Sequence, residues 1–260
     1  LQPDASSFEA YRDSLVAWAL EAKKRGFKAA KAECTLEGPY AHLGLREPWH
    51  RMTEVVAAIR QAVGPDFILM VDAQYAFPDA ETCLSVIRDW TEFNLFFLEA
   101  PIPMDDLAGY RRLAEEQSVP IAAGEWLTTR FEFRDLIEAG RVKVIQPDIG
   151  RVGGLTEACR VAALGREAGL TVVPHLWKTG ISIAAAVHFA AVNEHCPFIE
   201  FLPAELCTSA LRKELLCDGP RMVDGVIPLP QAPGLGVELN RGALQKFEQV
   251  AARVAAARGL

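Results

Sequence analysis

This 260-residue chain has no CxxC pair, and its six cysteines (Cys34, Cys83, Cys159, Cys196, Cys207, Cys217) are scattered along its length. That spacing suits neither a zinc site nor a disulfide framework, and a cysteine such as Cys159 in an alanine-rich helical pattern reads as a small buried hydrophobe. No apolar run reaches the roughly 18 to 20 residues of a membrane span, and the opening LQPDASSFEAYRD has neither the basic nor the apolar region of a secretion signal. A cytoplasmic protein is the expectation. There is no Lys/Arg-rich run and the formal net charge is −7, which argues against nucleic acid or an anionic membrane as partner. The GxGxxG phosphate fingerprint of an open dinucleotide-binding sheet is also missing after the first strand pattern.

What is present is material for a large core: half of the residues are hydrophobic and 23% are charged. The hydrophobic pattern alternates. A helix pattern at about 8–25 stops at Gly26, and FKAAKAE follows as a strand. Helix patterns then fall at about 49–63, 79–92, 105–117, 130–139, 154–168 and 180–193, and strands at 67–72, 95–99, 119–123, 142–146, 170–174 and 197–201. Seven short strands in strict alternation with helices predict an α/β fold, a TIM-like (β/α) barrel with helices outside a parallel sheet. An eighth strand is expected to precede Leu1. From Gly219 the chain becomes rich in proline and glycine before a last helix at about 240–258, so residues 1–218 read as the barrel and 219–260 as a separate C-terminal segment.

Ionisable residues sit at the strand ends. Asp72, Glu99 and Glu125 close the runs FILMVD, NLFFLEA and VPIAAGE, at separations of 27 and 26 residues. Carboxylates at successive strand ends converge and repel unless a divalent cation lies between them, and an all-oxygen set suits Mg²⁺. Asp148 and His175 end the runs VKVIQPD and LTVVPH, 27 residues apart. On adjacent strands the carboxylate would fix the tautomer and raise the basicity of a proton-transfer histidine. His42, His50, His188 and His195 have no such partner and read as structural or exposed. Lys31 and Glu33 in AAKAE share one face of their strand, pointing into the barrel mouth or forming a surface ion pair. Glu200 in PFIEF completes the ring, either as a buried carboxyl of raised pKa donating a hydrogen bond to substrate or as a capping or salt-bridged residue. Lys178 in WKTG lies near an anionic substrate or caps the next helix. Active sites of such barrels occupy this face.

The motifs GFKAAKAE, LMVDAQ, FFLEAPIP, PIAAGEWLTT, VIQPDIGRVGGLTEA, VVPHLWKTG and FIEF, in this order, make the chain resemble the mandelate racemase and muconate lactonizing enzyme branch of the enolase superfamily. The resemblance implies a modified (β/α)7β barrel in which Asp72, Glu99 and Glu125 bind Mg²⁺. It further implies Asp148 with His175 as general-base dyad and Glu200 as a hydrogen-bond donor to the enolate. Lys31 matches the first lysine of the family's Lys-x-Lys motif, whereas Glu33 stands where a second lysine is placed. The family also implies an N-terminal capping domain, which this chain is expected to lack together with the first strand, and assembly as a homo-oligomer. With Glu33 in place of a second basic lysine, the expected reaction is dehydration of an acid sugar to a 2-keto-3-deoxy acid. Racemisation, epimerisation or cycloisomerisation on the same metal site, and a non-catalytic barrel, remain open. The loop Cys34 to Trp49 is long enough to fold over the site.

Overall fold

The computed structural model describes residues 3–41 and 45–258. His42 and part of the loop from Cys34 to Trp49 therefore lie outside the described residues. Six parallel strands hydrogen-bond in chain order: β1 (Ala29–Glu33), β2 (Ile68–Asp72), β3 (Phe97–Glu99), β4 (Ile121–Ala123), β5 (Val144–Ile145) and β6 (Thr171–Val172). Before, between and after them run α1 (Phe8–Lys24), α2 (Met52–Val63), α3 (Ala80–Ile87), α4 (Leu107–Glu116), α5 (Arg130–Asp135), α6 (Leu155–Glu167), α7 (Gly180–Ala191), α8 (Ala210–Glu214) and α9 (Arg241–Ala257).

Local chemistry sets the helix limits. In α1 the Ser7 hydroxyl accepts from the Ala10 amide, and Phe8, Tyr11, Leu15 and Ala19 bury one face. At α5 a full capping box joins Thr129 and Glu132, and Asp79 and Asn240 cap α3 and α9. Two cores result. A large one fills the space between strands and helices, and a small one, Met70, Phe97, Ala122, Val144 and Val173, fills the interior of the sheet's curve. The cysteines are free and four are buried, but Cys159 is only half-buried, packed against the edge of the large core. Among the described residues no helix is long and apolar enough to cross a membrane.

Residues 197–201, expected as a seventh strand, form no ladder among the described residues. Pro197 has no amide hydrogen to donate to a neighbouring strand. The segment instead meets its neighbours singly: the Leu176 amide donates to Glu200 Oε2 at 2.6 Å, and the Phe201 ring lies 6.3 Å from that of Phe27. A cavity of about 780 Å³ remains along this seam, lined by Trp18, Phe27, Phe97, Phe198 and Leu202 among others.

Candidate active site

Parallel register places the ionisable strand ends side by side. Glu33 is opposite Asp72, and Asp72 is opposite Glu99. Lys31, one pleat before Glu33, puts its ammonium 2.7 Å from Glu99 Oε2, 2.8 Å from Glu200 Oε1 and 3.4 Å from Asp72 Oδ2. Four of the sequence-predicted residues thus meet in one cluster.

The second cluster is built on His175. Its Nδ1 lies 2.8 Å from Asp148 Oδ2 and its Nε2 lies 3.0 Å from Glu125 Oε2. Glu125 reaches this place because the chain turns sharply at Gly124, whose φ is +119°. A Cβ there would sit 2.6 Å from the Phe133 ring, so glycine is required on two counts. Asp148, 1% exposed, also accepts from the Gly150 amide at 2.8 Å and from the Lys178 ammonium. Lys178 therefore neutralises the dyad's carboxylate. Glu33 lies half-buried on the rim, and its carboxylate has no hydrogen bond or ion pair among the described residues. His188 and His195 bond the carbonyls of Leu235 and Ala162, and His50 is exposed, in keeping with structural or surface roles.

Burial and charge set the protonation states. Burial raises Asp72 to about 6 and Glu99 to about 8, with Lys31 opposing and neighbouring carboxylates reinforcing the rise. Burial also raises Glu33. Burial would depress Lys31, but Glu200, Glu99 and Asp72 hold it well above the ordinary lysine value. For His175 burial is likewise outweighed, here by the bonds to Asp148 and Glu125, and the imidazole rises to about 9. Asp148 falls to about 2, because the bonds from His175 and Lys178 overcome its burial. Glu200 departs from the expected raised pKa. Against its burial, Lys31, His175 and a 2.6 Å bond from the Leu176 amide lower it, so it stands as an ionised acceptor rather than a donor.

The donor chemistry fits a hard divalent cation. Asp72, Glu99 and Glu125 offer only oxygen, and Glu99 Oε1 is fully buried without a hydrogen-bond partner among the described residues. As placed, the three carboxylates turn to two different cationic side chains, Lys31 and His175, and among the described residues no three acidic, histidine or cysteine side chains are grouped to hold one ion. Sequence reasoning missed Tyr75, whose hydroxyl donates to Glu125 Oε1 at 2.8 Å. It also missed Arg151, which donates to the Glu125 carbonyl at 3.0 Å and lies 3.8 Å from the Trp126 ring centroid. Neither residue carries a sequence signal, since both act through turns that follow a strand.

A parallel α/β barrel scaffold with a rim of carboxylates, a lysine and an Asp–His pair defines a class of barrel proteins that handle charge and protons at the strand ends. Within that class the chain belongs to the Enolase C-terminal domain-like family, whose pattern it matches over residues 14–243. It is 35% identical over 201 residues to D-galactarolactone cycloisomerase of Agrobacterium fabrum, covering 74% of this chain and 52% of that protein. It is 36% identical over 225 residues to L-rhamnonate dehydratase of Saccharopolyspora erythraea, covering 84% and 55% respectively. The structure superposes on L-talarate dehydratase from Polaromonas sp. JS666, complexed with Mg and L-glucarate, with a TM-score of 0.75 and 30% identity, covering 90% of this chain and 59% of that one. The chain spans about half the length of the curated relatives it matches. These relatives are enzymes acting on sugar acids or their lactones.

Proposed function

We propose that this domain removes the proton α to the carboxylate of an acid sugar and eliminates water from it, giving a 2-keto-3-deoxy acid. One observation carries the reading: the His175 imidazole stands between Asp148 and Glu125, 2.8 and 3.0 Å from their oxygens, on a barrel rim that also gathers Lys31, Asp72, Glu99 and Glu200. Asp72, Glu99 and Glu125 would hold Mg²⁺, which supplies the positive charge that makes the α-hydrogen acidic. Bonded through Nδ1 to Asp148, His175 presents Nε2 to the centre of the site and in its neutral form takes the proton there. Lys31 adds a fixed positive charge toward the negative charge that develops on the substrate carboxylate, and Glu200 keeps that ammonium in place. Protonated His175 then returns its proton to the departing β-hydroxyl, which leaves as water, and the resulting enol tautomerises to the keto acid.

The test is a screen of the full-length protein against aldonates and aldarates with Mg²⁺, detecting the keto product, alongside a His175→Asn variant. Dehydration at wild-type rate by that variant would refute the assignment. A second reading, cycloisomerisation or racemisation, is favoured by one feature: the Glu33 carboxyl on the same rim, without a bonded partner among the described residues, raised by burial and able to serve as a second proton carrier. Exchange of the α-hydrogen in D₂O without keto acid would select it.

A further inference from the structure

Resting on the proposed metal-binding rim and deepening it, we infer that Tyr75 is a positioning residue that aims the Glu125 carboxylate. The Tyr75 hydroxyl donates to Glu125 Oε1 at 2.8 Å while His175 Nε2 lies 3.0 Å from Oε2, so each oxygen of Glu125 has its own partner. The ring itself sits in apolar surroundings, 6.3 Å from the ring of Tyr40, in a cleft of about 640 Å³ that Trp49, Phe77 and Trp126 also line. Packing alone would be served equally by phenylalanine. Among the described residues the hydroxyl has no other hydrogen-bond partner, and in this setting a phenol holds its acceptor firmly.

The backbone is built for the same purpose. Gln74 and Tyr75 have φ of +46° and +59°, a left-handed turn that such side chains rarely adopt, immediately beyond Asp72. Such a conformation persists only when its surroundings over-determine it. Here the Gln74 amide donates to Asp72 Oδ1 at 2.9 Å, the Tyr75 amide to Ala100 O at 2.6 Å and the Phe77 amide to Pro101 O at 3.1 Å. From outside, the Trp49 indole donates to Ala76 O at 3.2 Å, and Gly38 packs so closely that a Cβ there would lie 2.6 Å from Ala76 Cα. The clamp bends the chain after one candidate ligand, Asp72, so that a side chain three residues on reaches another, Glu125, on the loop after β4. Groups that orient metal-ligating carboxylates in this way typically affect metal affinity by roughly 10- to 100-fold.

The experiment is calorimetric titration of the full protein with Mg²⁺, comparing wild type, Tyr75→Phe and Tyr110→Phe. Tyr110 is a control: its buried hydroxyl donates to Ile102 O at 2.9 Å and its loss tests only stability. Tyr75→Phe should weaken Mg²⁺ binding about tenfold or more, whereas Tyr110→Phe should lower the melting temperature and leave the affinity unchanged. Equal Mg²⁺ affinity in wild type and Tyr75→Phe overturns the inference while leaving the metal reading intact. A wild type that takes up no Mg²⁺ removes both. A second measurement needs no variant: saturating Mg²⁺ should perturb the ultraviolet absorbance of tyrosine, because the charge on the acceptor of the Tyr75 hydroxyl changes. A flat tyrosine difference spectrum at saturation counts against the inference even if the variant fails to fold.

Discussion

The Lys31 ammonium lies 2.8 Å from Glu200 Oε1 and so ties β1 to the segment after α7, across a seam that no strand ladder spans among the described residues. The same nitrogen reaches Glu99, which is completely buried, at 2.7 Å. One cation therefore offsets three carboxyls and closes the ring of strand ends. Lys31→Met keeps the side chain's length and apolar stem but leaves those carboxyls without a cation. Breaking a buried ion pair by removing one partner costs about 3 to 5 kcal/mol, and urea unfolding at neutral pH should show a loss of that order. A loss below about 1 kcal/mol, the worth of a surface pair, would mean that the cluster is already neutral through protonation of its acids.

Asp148 should give the fold an acid-sensitive component. Its folded-state pKa is lowered from the ordinary 3.8 to about 2, by the bonds from His175 and Lys178 prevailing over burial. A depressed carboxyl contributes stability that is fully present above the unfolded value and is lost as pH falls through the folded one. The window therefore runs from about pH 4 down to about 2, and the contribution is on the order of 2 kcal/mol. Asp148→Asn should be less stable than wild type at pH 6, with the gap narrowing through this window. Parallel stability curves for the two proteins would show that the pairing does not act this way.

Gly124→Ala tests the turn that delivers Glu125. The backbone there has φ of +119°, and an added Cβ would meet the Phe133 ring at 2.6 Å. A non-glycine residue in such a region costs about 1 to 3 kcal/mol before any clash is counted. Thermal unfolding should therefore fall clearly, and Mg²⁺ affinity with it if Glu125 is a ligand. An unchanged melting temperature would mean that the turn has another conformation.

How much of this was legible beforehand follows from which forces are local. Ser7, Gly26, Thr129 with Glu132, and Asn240 act on their own helix ends, and the helices start and stop where those residues indicate. Short apolar runs ending in an ionisable residue located six of the seven expected strands. The seventh was misread because FIEF has the composition of a strand, while pairing depends on neighbours and on Pro197, which removes a donor. Alternation placed Lys31, Asp72, Glu99, Asp148, His175 and Glu200 at strand ends, yet it could not assign their partners. That His175 meets Glu125 as well as Asp148, or that Lys31 and not a neighbouring acid faces Glu200, depends on strand stagger and loop shape. Tyr75 was invisible for a sharper reason: a left-handed turn is normally announced by glycine or asparagine, and Gln74-Tyr75 offers neither.

Glu33 separates the two chemistries and carries the last prediction. Its carboxyl is half-buried, lacks a bonded partner among the described residues and is raised in pKa, chiefly by burial, with the Lys31 charge opposing and the charges of Glu200 and Glu99 reinforcing the rise. A carboxyl raised on folding stabilises only while protonated. Its contribution is present below the unfolded value and is lost as pH rises through the folded one, so above the carboxylate range Glu33 is a burden on the fold. Glu33→Gln keeps the shape without the ionisation, and its stability relative to wild type should improve as pH increases. If dehydration runs through His175 alone, the variant's rate should drop by less than the roughly 100-fold that a positioned acid or base contributes. Loss beyond that factor, with α-hydrogen exchange abolished on one face only, would place Glu33 in the reaction and move the assignment to an isomerase with two proton carriers.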